Sequence, residues 1–300
     1  MSIDIPNYRI LGKVGNGANS TLFKVRCTRM GGFYTVKNVK IHTPEDHKFL
    51  EQLKAEYTTG SQLDHPAIRK VFELRYVRRR LRVMGAMLFM EYVDGVPMND
   101  PEFSRSLPEL LQLFLRVAEG LDAMHRAGFV HADLKPGNLL VTPDEQVKII
   151  DFGQSCPMLT SKARIQGTID YMAPEQVALS ILDRRTDVFG LAATLHRVIT
   201  GKPIATDMNQ NITLHAQGLL GKRVADIAQP TNVELPTAVA KLIETCCEKD
   251  PARRLSDMRA FIDRTEMVRT LLLKRQAIQE GEEESLAGPR AERGAQKSGE

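Results

Sequence analysis

Around Asp94-Gly95 the spacing of apolar residues changes from two to nearly four, and few folds hold both patterns in one chain. Before that point, Tyr8–Val14, Ser20–Thr28 and Phe33–Ile41 alternate apolar with polar residues, as half-buried strands do. The glycine-bearing turns Gly15-Asn16-Gly17 and Gly31-Gly32 separate them. Pro44-Glu45-Asp46 then opens a helical pattern with Phe49, Leu50, Leu53 and Tyr57 on one face, ending before His65-Pro66. Two further strands, Arg69–Val77 and Arg82–Tyr92, flank the basic turn Arg78-Arg79-Arg80. Beyond the switch, Leu107–Arg126, Thr186–Thr200, Pro236–Cys247 and Ser256–Leu273 have helical periodicity, with strand-like pieces at Leu139–Val141 and Val147–Ile150. From about Lys274 the chain mixes Glu, Gly, Ala and Arg with few apolar anchors and reads as a disordered tail. A strand-rich unit followed by a helix-rich unit predicts an α+β fold of two lobes.

Composition sets the outer bounds. The 300 residues suffice for one large two-lobed domain, and 42% hydrophobic with 26% charged residues exclude wholesale disorder or a disulfide miniprotein. Cys27, Cys156, Cys246 and Cys247 lack Cys-x-x-Cys spacing and read as reduced structural thiols. No apolar run nears the ~20 residues that span a bilayer. Met1-Ser2-Ile3-Asp4 has neither the basic nor the apolar region of a secretory leader. The expectation is a cytoplasmic protein with no membrane partner.

Three segments carry chemistry. In Gly15-Asn16-Gly17-Ala18-Asn19-Ser20-Thr21-Leu22, glycines between two strands let backbone N–H groups approach phosphate oxygens, because no Cβ intervenes. No helix follows, which argues against a dinucleotide fingerprint. Lys37 lies in the apolar strand Tyr34-Thr35-Val36-Lys37; facing inward it needs a carboxylate, which Glu56 on the next helix can supply. On its own, a solvated lysine on an edge strand is the simpler reading. The third segment shifts that balance. His131-Ala132-Asp133-Leu134-Lys135-Pro136-Gly137-Asn138 brings an acid, a lysine and an amide before a short strand, and Asp151-Phe152-Gly153 adds a carboxylate at a strand end. Asn138 and Asp151 are oxygen donors of the kind that suits Mg²⁺ bridging nucleotide phosphates.

With these landmarks in order from Tyr8 to about Phe261, the chain resembles the eukaryotic-like protein kinase superfamily, and within it the serine/threonine protein kinase catalytic domain. The resemblance implies a kinase domain over residues 8–266, with an N-lobe at 8–93, a C-lobe at 94–266 and a helix end and tail at 267–300. It implies that Val14, Gly15, Gly17, Ser20 and Leu22 border the ATP phosphates and base, with Thr35 and Leu140 closing on adenine. Met90 would be the gatekeeper, and the backbone of Glu91 and Val93 would hydrogen-bond adenine. Lys37, oriented by Glu56, would grip the α- and β-phosphates. Asp133 would take or orient the acceptor proton, Lys135 would neutralise the transferring phosphoryl group, and Asn138 and Asp151 would hold Mg²⁺. Ala173-Pro174-Glu175 resembles the motif closing the activation segment, with Glu175 expected to pair with Arg254 and Asp187 to cap the catalytic loop. Gly167-Thr168 with Lys135 resembles the serine/threonine pattern, so the implied partner is a protein with a Ser/Thr acceptor. The rival is a pseudokinase that binds nucleotide or partners without transfer; the complete set Lys37, Asp133, Asn138 and Asp151 argues against it. A small-molecule kinase is disfavoured by Gly167-Thr168 and Ala173-Pro174-Glu175.

Four departures from the family pattern stand out. Ala132 replaces the catalytic-loop arginine that normally receives an activation-loop phosphate, so phosphorylation of Thr160 or Ser161 is expected not to be required. Ser20 stands where the third loop glycine is usual, and Thr35 adds a hydroxyl above adenine. Gly60, one turn after Glu56, stands where relatives carry a large apolar residue stacked on Val71, His131 and Phe152. A gap and a mobile helix are the expectation there, with the glycine itself costing about 1 kcal/mol relative to Ala.

Charge is uneven. The chain carries net +4, yet Arg69, Lys70, Arg75, Arg78, Arg79, Arg80 and Arg82 against Glu73 give one hairpin +6, leaving the rest at −2. The plain reading is a solvated strand face; the functional one is a dock for an acidic partner, with no nucleic acid needed. His125 and His131 lack the spacing of a helical ligand pair and read as core or backbone-bonded residues.

Overall fold

The computed structural model describes residues 5–17, 19–204 and 235–287. Five strands, β1 (Tyr8–Gly17), β2 (Ser20–Cys27), β3 (Phe33–Lys40), β4 (Val71–Arg79) and β5 (Arg82–Glu91), form an antiparallel sheet in the order β1-β2-β3-β5-β4. Alternation on β3 explains how the sheet serves two faces: Val36 packs with Val25 and Phe89 on one side, while Thr35 and Lys37 project to the other. Helix α1 (His47–Gly60) covers that second face, burying Leu50 and Leu53 against Val39, Ala86 and Leu88. The expected helix start at Pro44 is a short 3₁₀ turn, Pro44–Asp46, because the Asp46 carboxylate accepts from the His42 and Thr43 N–H groups and caps there.

The second lobe is built on α2 (Leu107–Arg126), the segment the periodicity delimits. Ser106 and Glu109 form its capping box, the Ser106 N–H donating to Glu109 Oε2 at 2.9 Å. Its core face, including Leu111, Phe114, Val117 and Leu121, is fully buried. Around it lie β6 (Val96–Pro97), β7 (Phe129–Val130), β8 (Leu139–Val141), β9 (Val147–Ile149) and β10 (Cys156–Pro157). Helices α3 (Pro174–Val177), α4 (Arg184–Thr200), α5 (Thr237–Cys246) and α6 (Met258–Ala287) complete the described part. The two-lobed α+β expectation holds.

Three expectations are corrected. Helix α6 continues through Lys274 to Ala287, where the sequence reads as a disordered tail. That stretch lacks an apolar face, but Lys, Arg, Gln, Ala and Glu are strong helix formers, and the helix continues from a packed start that has already nucleated it. The remainder of the expected tail, 288–300, lies outside the described residues. Gly60 leaves no gap: a Cβ there would overlap Val71 Cγ2 and lie 3.2 Å from Phe152 Cδ2, so these neighbours already occupy the space. Arg69 is not part of an exposed basic face; it is 4% exposed and precedes β4, which begins at Val71.

Candidate active site

The site collects at the junction of the two lobes. Strands β1 and β2 close through a tight turn with Gly17 paired to Ser20, where a Cβ on Gly17 would meet Ser20 Oγ. Val14 sits at an irregularity between Lys13 and Gly15 and is half exposed. The side chain of Asn19, at the turn, donates to Asp46 Oδ1 at 2.8 Å and so fastens the turn to the start of α1. A cavity of about 300 Å³ beneath the turn is lined by Gly17, Ser20, Lys37, Asp133, Lys135 and Asp151, among others.

Lys37 sits on the wall of this cavity. Its Nζ lies 2.6 Å from Glu56 Oε2 and 3.1 Å from Asp151 Oδ1. Burial works to lower the Lys37 pKa, but Glu56 and Asp151 outweigh it and hold the ammonium well above its ordinary value. Burial works to raise Asp151, and Lys37 outweighs it too, keeping that carboxyl well below the usual range. The expected pairing of Lys37 with Glu56 is formed, so α1 is docked rather than loose. A contact the sequence did not announce is made by Arg69, which donates from Nη2 to Glu56 Oε1 at 3.1 Å.

Across the cavity, the catalytic loop is held by α4. The fully buried Asp187 accepts from His131 N–H at 2.8 Å and Ala132 N–H at 2.9 Å, and lies 2.7 Å from His125 Nε2. His125 is therefore a core residue. Burial works to raise the Asp187 pKa, yet its bonds to His125 and the loop keep it low. Ala132 and Asp151 both sit at positive φ, 59° and 66°, a strained geometry for non-glycine residues that the surrounding bonds sustain.

Asp133 is oriented through both oxygens. Oδ1 accepts from the Thr168 N–H at 2.9 Å and its hydroxyl at 3.0 Å, while Oδ2 faces Lys135 Nζ at 3.1 Å. Lys135 also reaches Thr168 Oγ1 at 3.0 Å. Asn138 donates from Nδ2 to the Asp133 carbonyl at 2.8 Å, which fixes the amide and turns its oxygen away from that bond. Thr168 is thus part of the site itself, a role that its place in a specificity pattern did not announce.

The structure brings together Gly17, Ser20, Lys37, Glu56, Asp133, Lys135, Asn138 and Asp151. Met90, Glu91 and Val93 end or follow β5, with Met90 paired in register with Thr35 and fully buried. The Glu91 side chain is occupied elsewhere, accepting from the Lys70 N–H at 3.0 Å and lying 2.8 Å from Lys148 Nζ on β9. Leu22 is opposite Lys37 across β2 and β3, and Leu140 is in β8. Below the site, Glu175 pairs with Arg254 through contacts of 2.7 and 2.8 Å, as expected.

A glycine-turned antiparallel sheet over a helical lobe, with Lys37–Glu56 facing Asp133, Asn138 and Asp151 across one cleft, defines a protein kinase. Residues 8–265 match the protein kinase domain model, and the chain belongs to that family. It is 31% identical over 271 residues to the serine/threonine-protein kinase PknA of Mycobacterium tuberculosis, covering 87% of this chain and 61% of that protein. A probable serine/threonine-protein kinase of Clostridium perfringens is 27% identical over 275 residues, covering 87% of this chain and 38% of the relative. A probable PknB of Bifidobacterium longum is 26% identical over 259 residues, covering 82% and 36%. The chain thus spans about three fifths or less of the length of these relatives.

Proposed function

We propose that this domain, residues 8–266 with lobes divided near Val93, transfers the γ-phosphoryl group of ATP to serine and threonine hydroxyls of proteins. The observation that carries the reading is the double anchoring of Asp133 by Thr168 and Lys135 on the same cavity that Lys37 and Asp151 line. In transfer, a bond forms between the acceptor oxygen and Pγ as the bond from Pγ to the β-bridging oxygen breaks. Asp133 takes the hydroxyl proton, Lys135 offsets charge on the moving phosphoryl group, and Lys37 grips the α- and β-phosphates. Gly15, Gly17 and Ser20 cover the phosphates. Val14, Leu22, Thr35, Met90 and Leu140 enclose adenine, and the Glu91 and Val93 backbone bonds its edge. Thr168, the threonine of the serine/threonine pattern, bonds both Asp133 and Lys135, which supports serine and threonine as the acceptors.

The donors at the site fit a hard divalent ion. Asn138 and Asp151 offer an amide and a carboxylate oxygen, and among the described residues no group of three His, Cys, Asp or Glu side chains makes a self-sufficient metal cage. Two protein oxygens completed by phosphates and water are the habit of Mg²⁺, whose chemistry when bound is to neutralise phosphate charge. Beyond the cleft, the exposed Arg78, Arg79, Arg80 and Arg82 favour an acidic partner on the β4–β5 hairpin. Among the described residues no helix is long and apolar enough to cross a membrane, which is compatible with a cytoplasmic setting.

The test is radiolabelled-ATP transfer to a generic basic protein by the wild type and by Asp133→Asn, followed by phosphoamino-acid analysis. Incorporation should fall by about 10² or more in the variant, with label on serine and threonine and loss of transfer on chelation of Mg²⁺. Equal incorporation by both proteins would defeat the enzyme reading in favour of a pseudokinase.

A further inference from the structure

We infer that Arg69 is a positioning residue that holds α1 in its docked place through Glu56, independently of Lys37. Glu56 is fully buried and its two oxygens are shared between two cations: Oε2 with Lys37 at 2.6 Å and Oε1 with Arg69 at 3.1 Å. Lys37 approaches from the cleft, where it is 17% exposed, whereas Arg69 approaches from within the protein. Arg69 is itself fixed to the other lobe, its backbone N–H donating to the Ile149 carbonyl at 3.1 Å, and Ile68 bridges the same residue. A continuous link therefore runs from α1 through Glu56 and Arg69 to the end of β9, two residues before Asp151.

Three observations give this link a purpose. A buried carboxylate that loses its cation is strongly destabilised, and Lys37 is the cation that phosphates compete for. Arg69 keeps Glu56 compensated when they do. Arg69 is buried with its Nε unpartnered among the described residues, so the bond from its Nη2 to Glu56 is the side-chain contact that compensates its charge, with Asp151 also within its field. Finally, Gly60 supplies no side chain to α1, and its neighbours Val71 and Phe152 close directly against the helix backbone. The helix that lacks an apolar anchor at Gly60 has a charged one at Glu56.

The effect on rate rests on the phosphotransfer reading; the docking of α1 does not, and the two are measured separately. Hydrogen–deuterium exchange of α1 and α2 amides is followed in the wild type, Arg69→Met, Arg69→Lys and Lys37→Met, beside steady-state kinetics. Arg69→Met should speed exchange across α1 by about tenfold or more with α2 unchanged, and lower kcat by at least about fivefold with a smaller change in the KM for ATP. Arg69→Lys should restore most of the α1 protection. Lys37→Met should abolish transfer yet leave α1 exchange within about twofold of wild type. Unchanged α1 exchange in Arg69→Met, or equal loosening in Lys37→Met, overturns the inference. If Arg69→Met loosens α2 as well, Arg69→Lys decides: α1 protection mostly regained with α2 at the wild-type rate supports the inference, and α1 left as loose as in Arg69→Met overturns it. A wild type without transfer activity would sink the functional reading while leaving the exchange result intact.

Discussion

Gly60 shows how a single missing side chain is answered by its surroundings. As a helix residue it gives up about 1 kcal/mol relative to alanine, yet the space a methyl group would need is already taken by Val71 and Phe152. Overpacking in a core costs about 1–3 kcal/mol, so the steric penalty exceeds the gain in helix propensity. Gly60→Ala is therefore expected to lower stability by about 1 kcal/mol in urea unfolding. A second change, Val71→Ala, removes the overlapping Cγ2 and should recover part of the loss; a Gly60→Ala protein more stable than wild type would contradict this packing. At this scale the sequence was informative where a residue's role follows from its place in a motif. Lys37, Glu56, Asp133, Asn138 and Asp151 come together at one cleft, a grouping that their motifs lead one to expect. Arg69 was hidden because it opens a run of basic residues and its partner lies 13 positions back, a distance only the fold closes. Thr168 was hidden likewise, its contact with Asp133 spanning 35 positions.

The activation segment, from Asp151 to Glu175, lies against a catalytic loop that departs from the family pattern at Ala132. With a methyl group at Ala132, that position extends no cation toward a phosphate on the activation segment. The segment instead supplies its own: the Lys162 ammonium donates to the Gln154 carbonyl, and it lies within the field of Asp133 and Asp187. Burial lowers the Lys162 pKa while Cys156, Asp133 and Asp187 oppose that shift. Thr160 is engaged as well, its hydroxyl donating to the Pro157 carbonyl at 2.7 Å and its own carbonyl accepting from Leu182 N–H at 2.9 Å. A segment already fastened in this way has little need of a phosphate. The double variant Thr160→Ala/Ser161→Ala should keep at least about half of wild-type transfer, since each lost neutral hydrogen bond is worth about 1 kcal/mol of local order; a loss of tenfold or more would show that phosphorylation is needed after all. Elements differ in how plainly sequence announces them. Helix α2 was legible to the residue because a capping box and a clean apolar stripe mark it. The end of α6 was not, because hydrophobic periodicity stops near Leu273 while helix propensity carries on.

Seen across the whole molecule, charge is separated from chemistry. The cleft groups nearly cancel, Lys37 and Arg69 against Glu56 and Asp151, so the phosphate site is held by geometry more than by surplus charge. The surplus stands at the far end of the sheet. Within the +6 hairpin, Arg69 is buried on Glu56, Arg75 is paired with Glu73 and Lys70 with Asp64, which leaves Arg78, Arg79, Arg80 and Arg82 exposed at the β4–β5 turn around Leu81, itself 95% exposed. Four like charges at one turn repel each other, and an acidic partner relieves that repulsion while covering the apolar tip. Because exposed charges are screened over about 8–10 Å at physiological salt, such binding should weaken steeply as salt rises. The variant with all four arginines changed to serine should lose affinity for an acidic peptide by about tenfold or more at low salt, and the wild type should approach the variant at high salt. Phosphotransfer to a small neutral peptide should be the same in both proteins, since none of the four lines the cavity. Equal binding of the acidic peptide by variant and wild type at low salt would leave the hairpin a solvated strand turn. A fall in transfer to the neutral peptide would instead mean that the turn acts on the cleft through β5, whose last residue, Glu91, is clamped to Lys148 of the other lobe.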